Sequence, residues 1–366
     1  MKLIYLTTSI DDLSAGVKNK INTQISVMNQ NGIDVELFNP MYKGHFRNFI
    51  KYFFTFIGRN KKIEDLKRKA VEADCVYIRY FLCNYSVIKF LKTIKIINPK
   101  LKVLVEIPTY PYEREMKGKK LTLLIDRLFR LFLKKYVNKI VTFSSDKYIY
   151  GIPTINVSNG VDTSCIAIKK ILTNNDSTIN IIVVACFSFW HGFDRIISGL
   201  HQYYSTGGRS NYIVHFVGNG DDRVINQYKK MVEKYHLHEN IIFYGEKKGK
   251  ELDDIYNICD LAFDSLGRHR SGVFYNSTLK GKEYLAKGLP IISGVETELD
   301  NIKSFQYYFR VPADETPIDF NDIYIYYKKI YDNINRQCVV NEIRHFCEQH
   351  FDIKTTIKKI IDEILK

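Results

Sequence analysis

Residues 261–292, LAFDSLGRHRSGVFYNSTLKGKEYLAKGLPII, constrain the fold more than any other stretch. Leu261-Ala262-Phe263 reads as the apolar end of a strand. A polar, glycine-containing loop comes next, over 267–277. The spacing then predicts a helix over 279–287, stopped by Gly288 with Pro290 close behind. Leu289-Pro290-Ile291-Ile292 opens the next buried strand. Two apolar strands joined by a loop and a helix form the unit of a parallel sheet covered on both faces. A loop feeding a helix N-terminus presents free N–H groups and a positive dipole end, which suits a phosphate. Glu283 falls one turn into that helix, where it can accept hydrogen bonds from vicinal hydroxyls such as a ribose diol.

The same alternation runs through the chain. Lys2-Leu3-Ile4-Tyr5-Leu6 reads as a strand, a polar loop ends in Ala15-Gly16-Val17, and a helix covers 18–31. Further strands are expected at 33–38, 75–80, 103–107 and 140–145. Gly16 lacks the spacing of a dinucleotide fingerprint. The strand at 103–107 opens on Pro108-Thr109-Tyr110-Pro111-Tyr112. In the second half, Ile179 to Ala185, INIIVVA, is a strongly apolar strand. It leads through Trp190-His191-Gly192 towards a helix near Arg195. Val217-Gly218-Asn219-Gly220 closes another strand, and Ile241 to Gly245 another, with Glu246 and Lys247 after it. These repeats predict an α/β protein of two Rossmann-like, doubly wound domains. The expected boundaries are 1–165, 166–345 and a C-terminal helix at 346–366, and in a fold of this kind the last helix commonly crosses back to the first domain.

Several of these elements together resemble family 4 retaining glycosyltransferases, polysaccharide-assembly members in particular. Glu283-Tyr284-Leu285-Ala286-Lys287-Gly288-Leu289-Pro290-Ile291-Ile292 matches the second half of the nucleotide-sugar signature. Ser277-Thr278-Leu279-Lys280 is close to its S-P-L-K version, while Tyr275 stands where the first acidic residue falls. Asn159-Gly160-Val161-Asp162 resembles the N-G-[VI]-D element that closes the first domain, and Gly218 and Gly220 resemble the V-G-x-G turn. His191 holds the position of a phosphate-loop lysine, with Arg195 one turn on. The resemblance implies a GT-B arrangement, two Rossmann-like domains facing a cleft. It implies a donor site drawn from Gly16, His191, Arg195, Gly218, Gly220, Lys247, Tyr275, Ser277, Leu279, Lys280 and Glu283. Thr109, Tyr110 and Glu113 are the implied sugar or acceptor contacts, in a loop where many members carry a histidine. No catalytic residue is assigned, because front-face transfer needs no protein nucleophile.

No Asp-x-Asp occurs, so no metal and no cofactor are expected, and the donor diphosphate would be neutralised by helix N-termini and cations. The implied reaction is retaining transfer of a sugar from a nucleoside diphosphate sugar, UDP-sugar favoured, to a glycan, lipid-linked by analogy. An epimerase on the same fold, or a catalytically dead nucleotide-sugar-binding module, is the alternative.

Composition narrows the setting. A length of 366 residues suits two domains, and seven scattered cysteines without a CxxC pair suit reduced thiols in the cytosol rather than a disulfide framework or a structural zinc site. MKLIYLTTSIDD reads as a strand leading into acids, not as a signal peptide. Residues 1–165 carry 28 Lys and Arg against 14 Asp and Glu, so the whole net charge of +14 lies there, while 166–366 balance at 26 against 26. That asymmetry points to an anionic partner for one domain. No stacking, zinc or helix-turn-helix signature favours nucleic acid. Two basic stretches favour a membrane surface instead. One spans 41–69, with Phe46, Phe49, Ile50, Phe53, Phe54 and Ile57 at helical spacing. The other spans 117–139, with Leu124, Leu128, Leu131, Phe132 and Tyr136 on one face. The expected location is therefore cytoplasmic and peripheral, at the inner face of a membrane.

Overall fold

The computed structural model describes the chain except residues 8–14, 40–60, 81, 117, 172–177 and 333. The chain divides into two units, one of Met1–Ser158 with Ile353–Lys366 and one of Asn159–Asp352. From the sequence the division is expected at 165/166 and 345/346.

The first unit contains β1 (Lys2–Leu6), α1 (Ala15–Gln30), β2 (Asp34–Phe38), α2 (Lys61–Glu72), β3 (Cys75–Arg79), α3 (Tyr85–Ile97) and β4 (Lys102–Ile107). It continues with α4 (Lys120–Phe129), β5 (Lys139–Thr142), β6 (Tyr148–Ile149) and β7 (Ile152–Asn156). The sheet order is β2-β1-β3-β4-β5-β7-β6, parallel except for the β6–β7 hairpin. Alternation along the strands sends successive side chains to opposite faces. Ile4, Leu6, Val76, Ile78, Val103 and Val105 pack with α2 and α3 on one side. Leu3, Tyr5, Cys75, Tyr77 and Leu104 pack with α1 on the other. The Asn84 side chain caps α3 by accepting from Val87 N at 3.1 Å, a contact worth about 1 kcal/mol.

The second unit contains β8 (Thr178–Val184), α5 (Asp194–Ser205), β9 (Asn211–Val217), α6 (Asp222–Lys234), β10 (Ile241–Gly245), α7 (Gly249–Ile258) and β11 (Leu261–Phe263). After these come α8 (Leu279–Lys287), β12 (Ile291–Ser293), β13 (Tyr308–Arg310), α9 (Phe320–Tyr331) and α10 (Arg336–Phe351). All its strand pairs are parallel, in the order β10-β9-β8-β11-β12-β13. Helix α10 lies on α8, where the Arg344 guanidinium donates to the Ala286 carbonyl at 2.7 Å and the Ile166 carbonyl at 2.8 Å.

The C-terminal helix expected over 346–366 is broken in the structure. Asp352 is extended, and its carboxylate accepts from the Thr163 hydroxyl at 2.5 Å. The chain then enters the first unit as α11 (Ile353–Thr356) and α12 (Lys358–Leu365). Ile353, Ile357, Ile360, Ile361 and Ile364 complete the core on the α1 side of the sheet. The Lys102 ammonium donates to the Glu363 carbonyl at 2.6 Å, and the Lys139 ammonium to its carboxylate at 2.8 Å.

Two further expectations change. Gly16 lies inside the first turn of α1 rather than in the preceding loop. The basic stretch from 41 onwards lies outside the described residues as far as 60. Its remainder belongs to α2, with Ile63, Leu66 and Ala70 buried. Among the described residues no helix is long and apolar enough to cross a membrane.

Candidate functional site

In the second unit the strand order reverses between β8 and β11. In a doubly wound sheet the loops leaving the C-terminal ends of such a pair diverge and open a crevice for ligand. Here those loops are 185–193 and 264–278, and the first feeds α5 while the second feeds α8. They are locked by backbone approach. A Cβ on Gly192 would come within 2.6 Å of Gly267 N, and one on Gly267 within 2.8 Å of Gly192 Cα, so only glycine fits at either position. Leu266 N donates to the His191 carbonyl at 2.7 Å across the same contact. The neighbouring loop after β9 is held the same way. A Cβ on Gly218 would lie 1.9 Å from the Ala185 carbonyl oxygen, and Phe187 N donates to the Asn219 carbonyl at 2.6 Å. Gly218 and Gly220 therefore shape the rim of the site through their backbone.

Helix α8 begins at this rim. Thr278 is its N-cap residue, and the Thr278 hydroxyl is bonded to the buried Asp264 carboxylate at the end of β11. That carboxylate also accepts from Ser265 N at 2.8 Å, and burial holds its pKa above the usual range. Asp264 was not among the residues expected from the sequence; its only signal there is an acid directly after an apolar strand. Tyr284 and Leu285 are buried, and the Tyr284 hydroxyl accepts from Val184 N at 2.8 Å, which sets the rotation of α8. Lys280 and Glu283 are thereby left on the outer face of the first turn. Their side chains pair at 2.5 Å and are 35% and 22% exposed, so both can reach a ligand.

The other expected donor residues are spread over several elements, Leu279 being the first residue of α8 and partly buried against the core. Gly218, Gly220 and Lys247 lie at the C-terminal ends of β9 and β10, and Lys247 pairs with Glu251 at 2.9 Å. Ser277 turns inward, where its hydroxyl accepts from Asn159 N at 2.7 Å and so ties the Asn-Gly turn to the loop before α8. Tyr275 is half-buried and bridges Glu296. Burial and the Glu298, Glu296 and Asp300 carboxylates push its phenol up, so it stays neutral and replaces the acid by a hydroxyl.

His191 and Arg195 are differently placed from expectation. The His191 Nδ1 accepts from Ser188 N at 3.0 Å, and its ring stacks on Phe193 at 5.4 Å. Burial, with the Arg268 charge added, pushes its pKa down to about 3, so it is neutral at physiological pH and supplies no phosphate cation. Arg195 is 2% exposed. Its guanidinium donates to the Leu266 carbonyl at 2.5 Å and the Thr316 carbonyl at 2.7 Å. Arg270, in the 3-10 turn Arg268–Ser271 of the loop after β11, is committed as well. It forms a bidentate pair with Asp194 at 2.8 Å, donates to the Phe189 carbonyl at 3.1 Å and bonds Glu315. These arginines brace the loops.

Thr109, Tyr110 and Glu113 lie in the first unit after β4. Glu113 pairs with Arg130 at 2.9 Å, and the Tyr110 ring meets Tyr150 edge-on at 5.9 Å. Gly16 lies in α1 of the same unit. Among the described residues no group of three His, Cys, Asp or Glu could hold a metal ion.

Residues 166–268 match the family model described as "Glycosyl transferases group 1". No curated protein matches the chain. Among solved structures, a glycosyltransferase from Rickettsia africae ESF-5 aligns at TM-score 0.67 and 13% identity over 100% of this chain and 98% of that one. Anabaena HepE in complex with UDP and glucose aligns at 0.63 and 13% over 100% of both chains. WaaG, a glycosyltransferase involved in lipopolysaccharide biosynthesis, aligns at 0.59 and 13% over 99% of both. The second unit thus carries a segment similar to the group 1 glycosyl transferases, and the chain has the fold of GT-B glycosyltransferases, with two Rossmann-like units.

Proposed function

We propose that the chain is a retaining, metal-independent glycosyltransferase that moves a sugar from a UDP-sugar to a lipid-linked glycan at an anionic membrane surface. The observation that carries the reading is the partly exposed Lys280–Glu283 pair on the first turn of α8, at the switch point of the second sheet. The α8 N-terminus supplies N–H groups and a positive dipole end to the diphosphate. Lys280 supplies a full charge once it leaves Glu283. Glu283 then accepts from the ribose diol. With His191 neutral and Arg195 and Arg270 bound to protein groups, the helix terminus and Lys280 carry most of the neutralisation. UDP as the nucleotide of the donor is supported by HepE, a protein of the same fold solved with UDP and glucose.

In the reaction the bond from the anomeric carbon to the diphosphate oxygen breaks and the electron pair leaves with UDP. An acceptor hydroxyl bonds to the same carbon on the same face, and its proton passes to the departing phosphate oxygen. The protein's part is electrostatic, stabilising the diphosphate as its charge grows.

A charged hydrogen bond of the Glu283 type is worth roughly 1.5–3 kcal/mol. Glu283→Ala should therefore weaken UDP binding at least about tenfold in a calorimetric titration. Unchanged affinity in that variant rejects the assignment. The same titration run with and without Mg²⁺ should give one affinity, and a strict Mg²⁺ requirement overturns the metal-independent mechanism.

A further inference from the structure

Helix α4 and the 3-10 turn Arg130–Lys135 that continues it present two opposite chemistries. On the outer side, Leu121, Leu124, Leu128, Leu131 and Phe132 form a stripe at helical spacing. Each is 44–58% exposed, as large apolar side chains on a globular surface seldom are. Lys119, Lys120, Arg127, Lys134 and Lys135, all exposed, flank the stripe, and the Lys135 ammonium sits 5.6 Å from the Phe132 ring. Residues 117–139 hold eight Lys and Arg and a single acid, Asp126.

That one acid points the other way and is fully buried. Its carboxylate accepts from the Tyr80 hydroxyl at 2.5 Å, Cys83 N at 2.6 Å and the Tyr112 hydroxyl at 2.6 Å. Arg130, one turn on, donates to Asp126 at 3.3 Å, Tyr112 at 3.1 Å and Glu113 at 2.9 Å, and lies 4.4 Å over the Tyr150 ring. The inner side of α4 therefore grips the loop after β4, where Tyr112 and Glu113 sit.

We propose that the outer face of α4 and its 3-10 extension docks on an anionic lipid bilayer, and that Asp126 and Arg130 transmit the docking to the loop at 108–116. This inference rests on the lipid-linked-acceptor reading and names the surface and the regulation that serve it. An apolar stripe flanked by cations and free of outward acids fits the boundary between acyl chains and anionic headgroups. The cations reach up to phosphates while the leucines enter the acyl region. A bilayer offers a continuous layer of anionic headgroups over an apolar layer, the complement of cations flanking an apolar stripe, so charge complementarity favours the lipid. Because Asp126 and Arg130 sit on the same helix as the stripe, fixing the outer face fixes the loop that their side chains hold.

Flotation of the full chain with vesicles tests the surface. Vesicles of phosphatidylcholine containing phosphatidylglycerol should carry the protein, and pure phosphatidylcholine should carry at least about tenfold less. The double variant Leu124→Glu/Leu128→Glu, at exposed positions, should lose at least about tenfold in anionic-vesicle binding while keeping UDP affinity. Equal binding by the variant overturns the docking surface. So does a concentration-dependent dimer that the variant abolishes, which would assign the stripe to a second copy of the chain. Amide exchange over 108–116 should slow when anionic vesicles are added, and Tyr112→Phe should float normally without that protection. Exchange unaffected by vesicles, or protected equally in Tyr112→Phe, overturns the coupling. Vesicle binding without UDP binding would sink the glycosyltransferase reading and leave the docking surface standing; UDP binding without vesicle binding would do the reverse.

Discussion

The two units are built on similar parallel sheets, yet they secure the C-terminal ends of their strands by different means. In the second unit the loops are pressed together backbone against backbone, with Gly192 on Gly267 and Gly218 on Ala185. In the first, the corresponding ends are held by buried polar side chains. Glu106, at the end of β4, is fully buried and bonded to Arg79. It accepts from the Tyr77 hydroxyl at 2.6 Å and lies 3.6 Å from the Lys20 ammonium. Gln24 connects Tyr77 to Tyr5 in the same cluster at 3.4 Å on each side. Backbone contact sets the spacing of the loops without a buried acid between them, and Arg195 and Arg270 then brace them through carbonyl groups. A buried ionic cluster fixes orientation at a desolvation cost and holds two cations in place around one acid.

The largest effect should come from the glycine side of this contrast. Gly218 has φ +130°, and a Cβ there meets the Ala185 carbonyl oxygen at 1.9 Å. Gly218→Ala should destabilise the second unit by more than about 5 kcal/mol, because backbone must move on both loops. Trp190, the only tryptophan, lies in that unit, so its fluorescence during urea unfolding reads the change. An unaltered transition would mean the loops are not locked by backbone approach. On the other side, Glu106→Gln keeps the shape and removes the charge. Lys20, whose pKa burial already lowers to about 8, and Arg79 then lose their counter-ion. Stability of the first unit should fall by about 3 kcal/mol, read by amide exchange in β3 and β4. A neutral substitution would show that the cluster is ornament and erase the contrast.

The same difference decides what could be seen in the sequence. Glycines that permit close approach lie next to the elements they terminate, Gly218 after a strand and Gly288 after a helix, so Val217-Gly218-Asn219-Gly220 and Gly288-Leu289-Pro290 were legible as local patterns. The place of Glu283 on a helix was legible because that helix has a start, a stop and a succeeding strand within one stretch. The Glu106 cluster draws on residues 20, 24, 77, 79 and 106 from separate elements, and no spacing announces it. His191 and Arg195 read as phosphate cations from their place in a loop. Sequence gives charge type but not burial: Ser188 N and Phe193 hold one side chain inward, and the Leu266 and Thr316 carbonyls hold the other. The leucine stripe of α4 was legible as a face, but amphipathicity alone does not say whether that face meets a core or solvent. Here Asp126 takes the inside and the leucines the outside. The single helix expected at the C-terminus overlooked Asp352, whose bond to Thr163 ends α10 where the chain changes units.

The smallest effect is a matter of acid. All described histidines lie in the second unit, and burial lowers two of them, His191 to about 3 and His215 to about 4. His215 is held between the Tyr244 hydroxyl and the Asn180 side-chain oxygen, each at 3.0 Å. For a histidine with a depressed native pKa the unfolded chain takes up the proton first. Its stability contribution is therefore full above about pH 6.5 and is lost as pH falls towards the native value, by up to about 1.4 kcal/mol per pH unit for each ring. Glu106 is shifted in the same direction from a lower starting point, its pKa held below the ordinary carboxylate value of 4.5 by Lys20 and Arg79 against the opposing effect of burial. The first unit should consequently hold its stability between about pH 6.5 and 4.5 while the second loses it, so the Trp190 transition should move to lower urea before the amides of β3 and β4 respond. His215→Gln should remove one ring's share of that slope. If the variant keeps the full pH dependence, or if both units weaken together from about pH 6.5, the acid response belongs to the chain as a whole and not to the way each unit holds its loops.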